Sequence, residues 1–357
     1  MALRDPPETP FLALDLEAFE RNVAQMAHTI LVQGGKRWRP HIKAIRAPAL
    51  AQRLMAAGAC GVTCATLGEA ETMVAASIRE VLIASPVVAR CQLQGLAALN
   101  RTARVIASID APEHVEMLAA AAQEAGVVIP VVVEVDVGLK RSGVPPGSAA
   151  VLLAHRVQSR PGLAFCGLMA WEGQTTRIAD PAAKQLAVAV AVGQLTATAR
   201  LCVEAGLPIE IVSCGGTGTY AITSLLAGVT ELQAGGGVFG DLRYRDEFHI
   251  PLEQALTLRA TVLSRPSARR IVSDAGWRYL GVHPTQSQPM HLSSVVHIAP
   301  AAEHLTMDCD RDVSGFAVGE RIDLAVGYAD STVFLHREIF AMRHGVIEDV
   351  LSVPARV

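Results

Sequence analysis

The sequence predicts an α/β protein that consists of a (β/α)8 TIM-like barrel and a C-terminal all-β domain. From about residue 39 to residue 240, eight short strand-like runs alternate with longer, alanine-rich helical runs. After about residue 245 the segments become short and β-rich, with Gly and Pro punctuation and almost no helical period.

The eight predicted barrel strands are RPHIKAI, GVTCAT, EVLIASPV, RVIASID, PVVVEVDVG, LAFCGLMAW, IEIVSCGG and ELQAGGGVF. Between most of them lie stretches such as APEHVEMLAAAAQEAG, whose apolar positions recur every three and four residues. Near-continuous apolar character is typical of parallel strands buried on both faces. A doubly wound open sheet is the alternative, because alternation alone does not distinguish closure; the count of eight favours the barrel.

The predicted domain boundaries are 20–245 for the barrel and 1–19 with 246–357 for the β domain. The N-terminal run PFLALD is strand-like and precedes a helical stretch. We expect this run to pair with the C-terminal strands, which makes the β domain discontinuous.

The composition indicates a globular protein without a basic surface. Of 357 residues, 51% are hydrophobic and 18% charged, which argues against disorder. The net charge of −3 predicts neither nucleic acid nor an anionic membrane as a partner. The alanine-rich stretch around Lys184 predicts a packed helix rather than a membrane span. No secretion signal is recognisable and the seven cysteines show no paired spacing, so we expect reduced thiols and a cytoplasmic location.

Polar side chains follow several predicted strands at the end where a barrel places its active site. Lys43 lies late in the first strand between Ile42 and Ala44, so we expect a buried amine rather than a surface charge. Arg141 follows the fifth strand and Trp171 follows the sixth. A lysine amine held in a barrel mouth is a candidate nucleophile.

Two glycine-rich turns follow the seventh and eighth strands, CGGTGTY at 214–220 and QAGGGVFGD at 233–241. Backbone N–H groups and a helix start meet in the first turn, where the hydroxyls of Thr217 and Thr219 add donors. Neither turn has the spacing of a dinucleotide fingerprint or a P-loop. The pair predicts a phosphate site, a recurring feature of barrels at this position.

A phosphate site together with a lone lysine suggests a phosphorylated carbonyl cofactor that Lys43 holds as a Schiff base. Pyridoxal 5′-phosphate fits both parts, with its phosphate at the glycines and its aldehyde on Lys43. A phosphosugar aldolase would also use a lysine and a phosphate site, and that alternative stays open at this point.

The motifs RPHIK, GVTCATLGEAE, EVDVGLKRSGV, GLMAWEG, CGGTGTY, QAGGGVFGD and AAEH occur in this order over most of the chain. As a set they resemble the D-threonine aldolase and eukaryotic-type D-serine dehydratase family, pyridoxal-phosphate enzymes with an alanine-racemase-like barrel and β domain. The resemblance implies a homodimer in which Lys43 carries the cofactor aldehyde and Arg141 contacts its ring. It also implies the positions that hold the phosphate: Gly218, Thr219, Gly236 and Gly237.

The resemblance further implies a divalent metal, Mg²⁺ or Mn²⁺, bound by a histidine and, two residues later, an aspartate in aldolases or a cysteine in dehydratases. The matching stretch here, VGYADSTVFLH, has Tyr328 in the first position and Asp330 in the second. The aspartate favours the aldolase. A protonated tyrosine is a poor ligand for these metals, so either the metal is lost or other oxygens rebuild the site around Asp330.

Three further positions depart from the family pattern: Ile45 and Gln174 each replace a histidine, and Trp171, which we place among the cofactor-binding residues, replaces a tyrosine. Together with Tyr328, these departures suggest a modified substrate or reaction.

The predicted function is a pyridoxal-phosphate aldolase that splits a D-configured or α-substituted β-hydroxy-α-amino acid into an aldehyde and an amino acid. The candidate bases are Tyr328, His304 and Lys43. Dehydration to a 2-oxo acid is one alternative, and racemisation is another because such enzymes use a tyrosine and a lysine. A non-catalytic pyridoxal-phosphate-binding relative is the third.

Overall fold

The computed structural model describes residues 7–354, which form two compact units. The barrel unit comprises residues 24–43 and 50–235, and the β unit comprises residues 7–23, 44–49 and 236–354. The domain boundaries drawn from the sequence stay a prediction. Residues 1–6 and 355–357 of the predicted β domain lie outside the described part.

The described residues form seventeen strands and eight α-helices. The strands are β1 Phe11–Asp15, β2 Arg37–Trp38, β3 Val62–Cys64, β4 Glu80–Ile83, β5 Arg104–Ile109, β6 Ile129–Glu134, β7 Leu163–Met169, β8 Ile211–Cys214, β9 Glu231–Leu232, β10 Leu256–Ser267, β11 Arg270–Ser273, β12 Gln288–Pro289, β13 Val295–Pro300, β14 Leu305–Cys309, β15 Arg321–Ala325, β16 Glu338–Arg343 and β17 Val346–Ser352. The helices are α1 Leu16–Ala27, α2 Pro48–Ala56, α3 Leu67–Ala75, α4 Arg90–Leu99, α5 Pro112–Ala125, α6 Ser148–Gln158, α7 Pro181–Glu204 and α8 Tyr220–Thr223.

The barrel unit contains a parallel sheet of eight strands in the order β2-β9-β8-β7-β6-β5-β4-β3. Just after β2, His41 forms a parallel bridge with Thr63 of β3, and the Ile42 N–H donates to the Thr63 carbonyl at 2.8 Å. Because β2 and β3 are the two ends of the sheet, this bridge closes it. The predicted barrel is confirmed, and the open-sheet alternative is wrong.

The barrel strands are apolar because both of their faces are covered. Side chains of five neighbouring strands pack into one buried cluster: Leu82, Ile106, Val132, Cys166, Met169 and Ile211. On β6, all six residues are buried. This continuous burial explains why the strand positions lack the alternation of a half-exposed sheet.

Helix α7 is 24 residues long and is the one helix within residues 7–354 that is apolar and long enough to cross a membrane. Of its most apolar window, 44% is buried inside the protein. The buried positions Val188, Val192, Leu195 and Cys202 recur at helical spacing, which is typical of a helix that packs on a sheet.

Two elements differ from the sequence prediction. The first strand is Arg37–Trp38, ahead of the predicted run at 39–45. Pro40 has no N–H to donate to the ladder, and sheet hydrogen bonds continue as far as Ile42, whose N–H donates to the Thr63 carbonyl. The helix after the seventh predicted barrel strand, which is β8 in the structure, is only α8, four residues long. Beyond it the Leu225 and Leu226 N–H groups bond to carbonyls three residues back, which ends the α-helical pattern.

The β unit contains a sheet of nine strands, with the path β13-β14-β11-β10-β1-β16-β17 and with β15 and β12 branching from β10. Strand β1 pairs antiparallel with β10 and parallel with β16, as expected for the PFLALD run. Phe11 and Ala13 of β1 pack with Met342 and Ile347 in one buried cluster. All seven cysteines of the chain, which lie in the described part, are free thiols.

Candidate active site

Lys43 lies in a turn that follows the closing bridge of the barrel, and its side chain is exposed. The expectation of a buried lysine within a strand is therefore wrong. The backbone of the turn is nonetheless anchored, because the Lys43 N–H donates to Nδ1 of His41 at 3.3 Å and the neighbouring Ile42 is fully buried. The turn holds the backbone in place while leaving the side chain accessible at the carboxyl end of the sheet.

His41 contacts the turn that carries Lys43, a contact that the sequence did not predict although the spacing of two residues between them was visible. Burial lowers the pKa of the His41 imidazole well below its ordinary value, and the charges of Lys43 and Arg141 act in the same direction. The ring is therefore neutral. One nitrogen accepts from the Lys43 N–H, and the ring also hydrogen-bonds the backbone of Thr63.

Arg141 follows β6 and is exposed, with its guanidinium 3.9 Å from Oε1 of Glu134. Glu134 is buried at the end of that strand, and Oγ of Ser142 donates to the same oxygen at 2.9 Å. Burial raises the pKa of Glu134. The charges of Lys43 and Arg141 both lower the pKa of the His41 imidazole, whereas the roles of Lys43 and Arg141 toward a cofactor stay predictions.

Trp171 packs against two glycines of the barrel unit. A Cβ built on Gly216 would overlap ring carbons of Trp171, and a Cβ on Gly173 would overlap its Nε1. Gly216 of the CGGTGTY turn therefore makes room for the indole ring, a role that the sequence did not indicate.

We expect Gly216→Ala to destabilise the protein by about 1–3 kcal/mol, because the added methyl group displaces the Trp171 ring. Thermal unfolding and tryptophan emission measure the effect. Gly193→Ala on α7 is the matched control, since a Cβ there meets nothing within 4 Å and alanine favours the helix. Equal stability and unchanged emission in Gly216→Ala would contradict the assignment.

The CGGTGTY turn offers backbone rather than hydroxyl donors to an anion. Thr219 donates its hydroxyl to Oε1 of Glu172 at 2.7 Å and its N–H to the Gly216 carbonyl at 3.0 Å. In the described part of the chain, no group accepts a hydrogen bond from the N–H of Gly216 or Gly218. Helix α8 is too short to add a helix-end charge. These two N–H groups fit a phosphate. The Thr219 hydroxyl, which we predicted as a further donor to the phosphate, donates to Glu172 instead. Thr217 is buried in the same turn.

In the β unit, Gly236 and Gly237 begin the 3₁₀ turn Gly236–Phe239 and are buried. A Cβ on Gly236 would lie 2.8 Å from Oη of Tyr244 and 3.4 Å from Oδ1 of Asp330. The turn therefore packs closely against two polar side chains, of which Tyr244 was not foreseen. Their role as phosphate ligands stays a prediction.

Tyr328 and Asp330 are joined by a hydrogen bond, in which Oη of Tyr328 donates to Oδ2 of Asp330 at 2.9 Å. Burial, and then the charge of Asp330, raise the pKa of the Tyr328 phenol well above its ordinary value. The guanidinium of Arg243 lies 4.6 Å from the centre of the Tyr328 ring. Tyr328 is therefore a neutral hydrogen-bond donor.

Asp241, which the sequence did not single out, hydrogen-bonds the backbone of the segment 328–330. It is fully buried and accepts the Ala329 N–H at 2.8 Å and the Tyr244 N–H at 3.1 Å. Burial, with the nearby charge of Asp330, raises the pKa of Asp241 to about 8.

The side chains around Asp330 do not suit Mg²⁺ or Mn²⁺, which prefer several carboxylate or carbonyl oxygens. Its hydrogen-bonded partner is a neutral phenol, and residues 7–354 contain no group of three His, Cys, Asp or Glu arranged to hold a metal. Asp330 as a metal ligand stays a prediction.

The remaining predicted positions lie in ordinary surroundings. His304 is exposed in the connection between β13 and β14, where its carbonyl accepts the Ala301 N–H at 2.7 Å. Ile45 is fully buried, and Nε2 of Gln174 donates to the Val137 carbonyl at 2.9 Å. A catalytic role for His304 stays a prediction.

Comparison with known proteins agrees with this architecture. Residues 14–243 match the alanine racemase N-terminal domain family, and residues 255–342 match a serine dehydratase domain. The chain is 31% identical to a D-threonine aldolase of Arthrobacter sp., over 98% of this chain and 93% of that protein. It is 30% identical to a 3-hydroxy-D-aspartate aldolase of Paracoccus denitrificans (strain Pd 1222), over 98% and 92%.

The crystal structure of a D-threonine aldolase from Filomicrobium marinum superposes with a TM-score of 0.92 at 35% identity, covering 97% of this chain and 95% of that one. The phosphosugar-aldolase alternative has no support in these similarities. The chain belongs to the alanine racemase N-terminal domain family of barrel enzymes.

Proposed function

We propose that this protein is a pyridoxal-phosphate-dependent aldolase that cleaves the Cα–Cβ bond of a D-configured β-hydroxy-α-amino acid, releasing an aldehyde and an amino acid. The observation that carries the proposal is the exposed Lys43 side chain in the turn after the closing bridge of the barrel, in a chain similar to two kinds of D-hydroxyamino-acid aldolase. A lysine amine at the carboxyl end of a barrel sheet is suited to covalent chemistry at a carbonyl.

Pyridoxal phosphate is implied by the alanine-racemase-like fold and the aldolase relatives. When bound, it supplies an electron sink for the negative charge left at Cα. Lys43 would hold its aldehyde, Arg141 would face its ring, and the N–H groups of Gly216 and Gly218 would bind its phosphate. His41 keeps the Lys43 turn in one conformation through its hydrogen bonds on both sides.

Cleavage requires that a base remove the proton of the β-hydroxyl group and that an acid return a proton to Cα. Of the predicted bases, Tyr328 is poorly suited to remove this proton, because burial and the charge of Asp330 raise the pKa of its phenol and keep it protonated. Its hydroxyl, held by Asp330 at 2.9 Å, is suited to orient the substrate instead. Lys43, once its amine is released, is a candidate to return the proton to Cα.

The proposal is tested by incubating the purified protein with D-threonine, D-phenylserine and α-methylserine. We expect an aldehyde and an amino acid in equal amounts from at least one of them. Dehydration is the second candidate, because residues 255–342 match a serine dehydratase domain. A 2-oxo acid with ammonia would show dehydration, the opposite enantiomer would show racemisation, and no turnover would show a non-catalytic relative.

We further propose that the reaction does not depend on a divalent metal, since Tyr328 donates its hydrogen bond to the one carboxylate of the family motif. Chelation with EDTA is expected to leave the rate of aldehyde formation unchanged, and elemental analysis to find no stoichiometric metal. Tyr328→His, which creates the histidine–aspartate pair of the family, is the matched variant and is expected to gain Mn²⁺ binding. Loss of activity on chelation with recovery on Mn²⁺ addition would contradict this.

The homodimer, the cytoplasmic location and the lack of nucleic-acid or membrane partners stay predictions of the sequence. Light scattering on the purified protein measures the first of these directly.

A further inference from the structure

Glu172 follows β7 and is fully buried, yet the reaction described above makes no use of it. Its carboxylate accepts three hydrogen bonds. Oε2 accepts the Gly215 N–H at 3.2 Å, and Oε1 accepts the hydroxyls of Thr219 at 2.7 Å and Thr223 at 2.8 Å. All three donors belong to the CGGTGTY turn or to α8, so a single side chain ties this turn to the neighbouring strand.

An ionised carboxylate accepts hydrogen bonds and donates none, and it therefore sets the direction of all three donors. Gly215 has φ of 79°, a left-handed conformation that is ordinary for glycine and that directs its N–H to Glu172. The Thr219 hydroxyl has a second acceptor nearby, the Gly216 carbonyl at 3.3 Å. Without the carboxylate, the Thr219 hydroxyl is left with the Gly216 carbonyl, and the Gly215 N–H and the Thr223 hydroxyl lose the acceptor that fixes their direction.

The groups of this turn are thereby divided into two sets. Gly215 N–H, Thr219 Oγ1 and Thr223 Oγ1 point to Glu172, whereas the N–H groups of Gly216 and Gly218 bond to nothing in the described residues. We propose that Glu172 is the positioning residue that shapes this turn for the phosphate of the cofactor. The inference rests on the proposed function, because it requires that the phosphate bind at this turn.

Electrostatics and geometry make opposite predictions for Glu172, and this difference makes the inference testable. A buried negative charge repels a nearby phosphate, so its neutralisation would tighten phosphate binding if charge alone mattered. If the carboxylate acts by ordering the turn, its neutralisation weakens phosphate binding, because an amide nitrogen cannot accept from the donors it meets.

The experiment compares Glu172→Gln with the wild type in the full-length protein stripped of cofactor. Absorbance titration gives the Kd for pyridoxal phosphate and for pyridoxal, which has the same aldehyde and no phosphate. We expect the Kd for pyridoxal phosphate to rise about tenfold in Glu172→Gln, while the Kd for pyridoxal changes by less than about twofold. An unchanged or lower Kd for pyridoxal phosphate would overturn the inference, and so would an equal rise for both ligands.

Thr223→Val removes one of the three donors and keeps the carboxylate, so it is expected to shift the Kd for pyridoxal phosphate in the same direction by a smaller factor. This variant decides the question if Glu172→Gln does not fold. Glu69→Gln is the control, because Glu69 is another buried barrel carboxylate, on α3, that accepts a backbone N–H, from Ala65 at 2.7 Å. If the wild type bound pyridoxal phosphate and pyridoxal with the same Kd, the result would count against the proposed function itself. If both Glu172→Gln and Thr223→Val still bound pyridoxal phosphate more tightly than pyridoxal, by the same ratio as the wild type, the result would count against the role of Glu172 alone.

Discussion

Lys43→Ala is expected to lower the rate of aldehyde formation by at least about a thousandfold, because no other group replaces a covalent amine. The Lys43 backbone is held by His41 and by the closing bridge to β3, so the loss should be chemical rather than structural. The absorbance band of the lysine-bound cofactor, at about 410–430 nm, should disappear in the same variant.

Lys36→Ala provides the matched control for this substitution. Lys36 lies just before β2, at the opposite end of the strand that leads to Lys43, and its loss should leave both the rate and the band intact. If the band survived in Lys43→Ala, another lysine would carry the cofactor and the assignment would be wrong.

Glu231→Gln is expected to lower the free energy of unfolding by about 3–5 kcal/mol, because it removes the carboxylate that pairs twice with a buried guanidinium and leaves only the more distant Glu80, at 3.9 Å. Arg39 is 1% exposed and Glu231 is 0% exposed, and their paired contacts are 2.9 Å for Nε–Oε1 and 3.2 Å for Nη2–Oε2. The pair joins β9 to the segment after β2, beside the closing bridge of the barrel.

Urea unfolding followed by circular dichroism and tryptophan emission measures this effect, since Trp38 is fully buried next to the pair. Glu116→Gln is the control within the same unit: Glu116 bonds Arg156 and Arg160 at the surface, and its loss should cost less than about 1 kcal/mol. Equal losses in the two variants would show that burial of the Arg39–Glu231 pair is not what makes it important.

The barrel and the all-β domain were predictable from the sequence because they depend on patterns within short segments. The family was predictable because its motifs occur in a fixed order along the chain. Strand-like apolar runs and helical periodicity are properties of short segments, and eight repeats of the alternation suffice to suggest closure. Lys43, Arg141 and the glycine turns were found by their places at predicted strand ends. The motif around Tyr328 and Asp330 was found by its resemblance to a family.

The contacts that give these residues their roles were decided by the tertiary structure, because the partners are far apart in the chain. Glu172 meets Thr219 across 47 residues, and Asp241 meets Ala329 across 88, distances over which periodicity carries no information. The exposure of Lys43 likewise depends on the turn in which it lies, just after the bridge from His41 to Thr63. The sequence alone determined the fold and the lysine that we propose as the cofactor anchor. Only folding decided which donors of the glycine turn remain for a ligand, because that depends on a carboxylate brought in from another strand.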